Sequence, residues 1–249
     1  EFHPVLHDPA GVVMARGILL SMLVAAACAK EVRVHVRGGD RPPDPDFLFA
    51  ANGSTGPLPV NGGVSVDRFR MVLRNLRLQS EPTDGLNDTP GIELIGPGVY
   101  LVDLRSSALA NGVFTELIGD FHIDAKGFYE MDLDLSPVTG SDVQANPELL
   151  PLLGKTFLIE GRNAQGAAFV FQSSVARVLL REGVFRMGLN HNNLDVNIAA
   201  NAWFRGPDGA PLDPASADPA VRLQIEENVA ASIDAYEDDD MDGNPDPLG

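Results

Sequence analysis

Apolar and polar residues alternate along this chain in short runs, and turn-forming residues break the runs about every ten positions. Val32-Arg33-Val34-His35-Val36-Arg37 alternates without a fault, so it reads as a strand with one apolar face. Residues 64–78 continue the pattern through Val66, Phe69, Met71, Leu73, Leu76 and Leu78. The phase slips near Phe69 and near Leu73, which predicts a bulge or break in a long strand. Further strands are predicted over 99–104, 113–123, 128–135, 156–161, 168–172, 175–180, 184–187 and 194–204, with 80–97 as a loop rich in Gly, Pro, Asp and Thr. Short strands so spaced, without strand–helix alternation, predict a mainly β fold: an antiparallel β-sandwich with one C-terminal amphipathic helix.

One hairpin has a readable register. Residues 124–127 (Asp-Ala-Lys-Gly) suit a three-residue loop with Gly127 left-handed. Pairing Asp124 with Phe128 sets His122 opposite Glu130 and Asp120 opposite Asp132. Phe121, Tyr129 and Met131 then share the apolar face. The opposite face becomes an acidic patch of Asp120, His122, Glu130, Asp132 and Asp134, in which Asp120, Glu130 and Asp132 are the candidate carboxylates of a hydrolase and which is otherwise an ordinary solvated surface.

The helix is predicted over 218–237. Asp218 caps it, Pro219 takes the first turn, and Val221, Ile225, Val229, Ile233 and Tyr236 recur at spacings of four and three. After it the chain turns acidic, over 238–249. Asp238, Asp240, Asp242, Asn244 and Asp246 occupy positions 1, 3, 5, 7 and 9 of a calcium-type loop, with Gly243 at position 6 for the sharp turn. Calcium takes six to eight oxygens, and alternate residues of a tight loop aim carboxylates at one centre. Position 12 is Gly249 rather than the bidentate glutamate of an EF-hand, so a weak site is expected, with Kd on the order of 10⁻⁴ to 10⁻³ M.

The only cysteine, Cys28, rules out a disulfide framework. Met14-Ala15-Arg16 and the apolar, small-residue run over 17–27 read as a secretory signal over 14–27, and the small residues before Cys28 read as a lipobox. Residues 1–13 read as an upstream segment outside the fold. The expectation is an exported lipoprotein, periplasmic or cell-surface, held to the outer membrane by a lipid on Cys28, with the sandwich over 28–217.

Acids outnumber bases 35 to 18, for a net charge of −17, which excludes nucleic acid as a partner. Gly154-Lys155-Thr156 ends like a phosphate loop, but Leu149 stands at its first glycine position. No G-x-S-x-G, H-E-x-x-H or G-x-G-x-x-G occurs, so the residues point to no reaction. His35 and His191 read as surface histidines, and Trp203 as a core anchor.

The segments 68–78, 100–104 and 127–133, then Ala202-Trp203-Phe204 with the Asp208-Gly209 turn and Leu212-Asp213-Pro214, resemble the MbnP-like lipoproteins of the bacterial periplasm. The resemblance spans 64–214. It implies a β-sandwich on a lipidated N-terminus and, in some members, a copper site of histidines and an oxidised tryptophan. Trp203 with His122 or His191 are the candidates for that site here. The histidine of that pattern two residues after the tryptophan is Arg205 in this chain. The leading expectation is a non-enzymatic binding or structural module with a calcium-binding tail. A periplasmic copper-binding protein and a carboxylate-dependent hydrolase are the alternatives.

Overall fold

A computed structural model describes residues 30–39, 57–79, 92–111, 114–123, 128–185 and 193–240. Two sheets face each other across one apolar core. The strands are β1 (Lys30–Gly39), β2 (Leu58–Pro59), β3 (Ser65–Gln79), β4 (Ile92–Arg105), β5 (Phe114–Ile123), β6 (Phe128–Leu135), β7 (Phe157–Arg162), β8 (Ala168–Ser173), β9 (Arg177–Phe185), β10 (Asn193–Ala199) and β11 (Ile233–Glu237). The helices are α1 (Ser106–Asn111), α2 (Gly140–Ala145) and α3 (Pro219–Ala231). One sheet runs β11-β10-β1-β5, and the other runs β8-β7-β3-β6-β9, with β2 and β4 also on β3. Every pairing is antiparallel except β1 with β10.

Alternation decides what each sheet buries. Val34 and Val36 of β1 and Leu194, Val196 and Ile198 of β10 point inward. They meet Phe69, Met71, Leu73, Met131, Leu133 and Phe157 of the larger sheet in one cluster. β3 is the spine, with β4 along one side, and with β7 and then β6 along the other. Its register shifts between Val66 and Arg68 and again around Leu76, close to both predicted slips. At the second shift Asn75 takes φ 47°, and its amide donates to Asp134 at 3.0 Å. Beside the first, Gly161 is required, because a Cβ there would lie 2.0 Å from the Ser65 carbonyl oxygen.

The predicted hairpin does not form as a pair. β5 joins β1, with His122 in register with Glu31 and Phe121 with Val32, whereas β6 lies between β3 and β9 in the other sheet. Asp120 and Asp132 therefore lie on strands of different sheets. Charge explains the preference: directly opposed acids repel across a ladder, whereas β3 offers arginines. Arg77 binds Asp134 through two nitrogens, at 2.6 and 3.0 Å, and reaches Asp132 at 3.4 Å. Met131 is fully buried, as expected. Residues 124–127 and the side chains of Phe121 and Tyr129 lie outside the described residues.

Other boundaries move as well. β4 begins at Ile92, inside the predicted 80–97 loop, and the strands predicted over 175–180 and 184–187 are one, β9. The predicted 218–237 helix is half right. α3 starts at Pro219 behind Asp218, whose carboxylate accepts the Ala220 N–H at 2.8 Å. It ends at Ala231, and β11 follows. The spacing of Ile233 and Tyr236 continues a helical stripe, but Ile233-Asp234-Ala235 also alternates as a strand does. The edge of β10 carries backbone donors and acceptors that need partners, and β11 supplies them. Ser232 makes the junction. Its N–H reaches the last helical carbonyls, its hydroxyl donates to Val229 O at 2.7 Å, and it accepts the Trp203 indole N–H at 2.7 Å.

Candidate functional site

The outer face of the four-stranded sheet departs from the expected solvated surface. β1, β10 and β11 lie side by side with His35 opposite Asp195 and Asp195 opposite Tyr236. In the next row Arg37 faces Asn197, and Asn197 faces Asp234. Apart from Glu237 at the end of β11, the inward neighbours of these residues are apolar or glycine, so strand alternation places all six on the other face. A row of that kind normally meets water. Here Arg37, Asp195 and Asn197 are each only 1 % exposed, and His35 and Tyr236 are buried as well.

Asp195 is the most perturbed member. Neither carboxylate oxygen accepts a hydrogen bond of ordinary geometry among the described residues. Burial pushes its pKa up to about 7, and the charge of Asp238 adds to the rise. The Tyr236 phenol and the Arg37 guanidinium act the other way, too weakly to restore an ordinary carboxylate. Burial and the neighbouring Asp195 likewise drive the Tyr236 phenol far above its usual range, so it stays protonated and serves only as a neutral donor. Asn197, the next residue outward on β10, has its amide nitrogen buried without an acceptor. It floors a cleft of about 230 Å³ shared with Asn201, Asn228, Ser232 and Asp234.

The acidic tail leaves the sheet at this face. Asp238 is 1 % exposed, and its N–H donates to the Asn193 carbonyl at 3.3 Å. Asn193 also donates its own N–H to Asp239 Oδ1 at 3.0 Å and its side-chain amide to the Asp239 carbonyl at 3.3 Å. The first two residues of the predicted calcium loop are thus fastened to the start of β10, and Asp240 is exposed beyond them. Asp242, Asn244 and Asp246 lie outside the described residues, as do Cys28 and His191. Among the described residues, no group of three or more His, Cys, Asp or Glu side chains converges as a metal cluster would.

Of the residues suggested for copper, only Trp203 can be placed in full. It is completely buried, with its ring 4.7 Å from that of Phe69 and its indole N–H on Ser232. That is the core anchor read from the sequence. His122 lies on β5, and its side chain is outside the described residues.

Sequence reasoning missed Arg37, Asp195, Asn197 and Tyr236, and took His35 for a surface residue. Asp195 and Asn197 alternate with Leu194, Val196 and Ile198, which is also the pattern of a strand with one wet face. Alternation reports which side is apolar, not whether the polar side is covered. Comparison of the chain with family models, with curated proteins and with solved structures returns no match.

Proposed function

We propose that this chain is a non-enzymatic exported module, tethered through a lipid on Cys28, whose C-terminal tail binds calcium. The observation that supports it best is the seating of the tail. β11 runs directly into Asp238, and Asn193 holds Asp239 with two hydrogen bonds, so the loop begins from an ordered edge rather than a frayed end. A loop entered from a fixed edge loses less entropy on closing around an ion. The alternating carboxylates that follow and the turn at Gly243 are the donors a hard cation selects.

The test is thermal unfolding of the full chain with and without calcium. At a calcium concentration about ten times Kd, linkage gives about 1.4 kcal/mol of added stability, a rise in Tm of roughly 3–5 °C for a chain of this size. An unchanged Tm at 10 mM calcium overturns the reading.

A further inference from the structure

The cleft at the end of the four-stranded sheet is built around a donor with nothing to bond. Asn197 is 1 % exposed, and its side-chain Nδ2 has no acceptor among the described residues. A buried N–H left without a partner is costly, and nearly all such groups in folded proteins are matched by protein, water or ligand. The row in which Asn197 stands explains why protein does not match it. On the β1 side is Arg37, whose guanidinium can only donate. On the β11 side is Asp234, in register with Asn197, whose Oδ1 accepts the Ala235 N–H at 2.8 Å. A carboxylate has two oxygens and about four lone-pair sites, so that bond leaves Asp234 with acceptor capacity. Arg181 acts on Asp234 through its charge, but spends its nitrogens on the Ile233, Ala230 and Leu180 carbonyls.

The rest of the cleft is committed or apolar. Asn228 donates to the Trp203 and Arg205 carbonyls and accepts from Gln224, and Ser232 is held between the Val229 carbonyl and the Trp203 indole. Ala199, Ala202 and Ala231 add small apolar walls, and the exposed Asn201 also lines the cleft. Its volume of about 230 Å³ is below the ~300–1,000 Å³ of pockets for drug-sized molecules. A ligand here must accept a hydrogen bond from Asn197 and donate one to Asp234, and side chains directly opposite on one face of a sheet have Cβ atoms about 5 Å apart. An anion is repelled by Asp234, and a cation meets the positive end of the Asn197 amide. Adjacent hydroxyls satisfy both, because each is a donor and an acceptor. We propose that this cleft binds a neutral polyhydroxylated ligand of monosaccharide size, one hydroxyl accepting from Asn197 Nδ2 and its neighbour donating to the Asp234 carboxylate. The C–H face of the ring then lies against the alanines. The proposal is independent of the calcium reading of the tail.

Saturation-transfer NMR on the full chain, with D-glucose, D-galactose and D-mannose as probes, tests it. A ligand of about a dozen non-hydrogen atoms, at the low end of ligand efficiency, binds with Kd on the order of 10⁻³ M, and at least one of the three hexoses is expected to do so. N197L replaces the donor with an apolar group of similar shape, so it keeps or raises Tm while weakening hexose binding roughly fivefold or more. D234A, at an exposed position, weakens binding by a similar factor and serves as the test should N197L not fold. No saturation transfer from any of the three hexoses at about 50 mM, well above the expected Kd, overturns the proposal. An affinity that either folded variant leaves unchanged also overturns it. So does transfer from acetate or methylammonium without transfer from a hexose, which marks a site for a charged ligand.

Discussion

At the scale of single residues, arginine pairing organises the larger sheet. Arg68 pairs with Asp103, Arg70 with Glu160 at 2.9 Å, Arg74 with Asp142 at 2.6 Å, and Arg77 with Asp134. Exposed pairs of this kind contribute little, but Asp142 is tied in three ways. It binds Arg74, its carboxylate accepts the Thr139 backbone N–H at 2.7 Å, and its own backbone N–H donates to the Thr139 hydroxyl oxygen at 3.3 Å. This capping box starts α2, which with the turn over 147–152 covers Val72 and Leu158 on the outer side of the sheet. The Arg74 guanidinium and the Thr139 donors hold the Asp142 carboxyl well below the usual carboxylate range. Its folded pKa lies below its unfolded value, so its stabilisation is complete above about pH 5 and fades as pH falls below 4. D142N is expected to cost about 1–2 kcal/mol at pH 7, read from urea midpoints, and the difference from the unaltered chain is expected to narrow steadily as pH falls from about 5 to about 2. A difference that stays constant from pH 7 to pH 2 contradicts this account.

At the scale of elements, alternation was legible wherever one face is apolar and the other polar. β6 and β8 match their predicted spans within a residue, because Met131, Leu133 and Leu135, or Phe169 and Phe171, alternate with polar or exposed neighbours. Partner choice was not legible. The pattern of residues 114–135 fits a hairpin, whereas β6 lies between β3, whose arginines pair with its acids, and β9, both far away in sequence and in the sheet opposite β5. β11 was hidden for another reason: periods of two and of 3.6 agree over five residues, and the unpaired edge of β10 decides between them. The strand assignment makes a sharp prediction at Ile233, which is fully buried beneath β11. I233A is expected to destabilise the chain by about 2–4 kcal/mol in chemical denaturation, as for other buried Ile-to-Ala changes. A loss under 0.5 kcal/mol would indicate an exposed position at the end of a longer helix.

At the scale of the whole molecule, the sandwich has two unlike outer faces. The larger sheet carries an arginine–carboxylate network and a small second apolar cluster beneath α2. The four-stranded sheet carries a buried polar row that ends where the acidic tail departs. The candidate site was legible in part. Asp238 and Asp240 could be read from spacing, whereas the burial of Asp195 could not, because it depends on β11 folding back beside β10. The order of strands in space brings the two together. If the tail binds calcium as proposed, the ion would fix the segment that Asn193 already fastens to β10 and so hold β11 against the sheet edge. Hydrogen exchange at the β11 amides, measured on the full chain with and without 10 mM calcium, tests this most directly. The account predicts that the Ala235 and Glu237 amides exchange several-fold more slowly with calcium, while those of β7 and β8 do not change. Equal rates on β11 in the two conditions, with calcium bound, would contradict it.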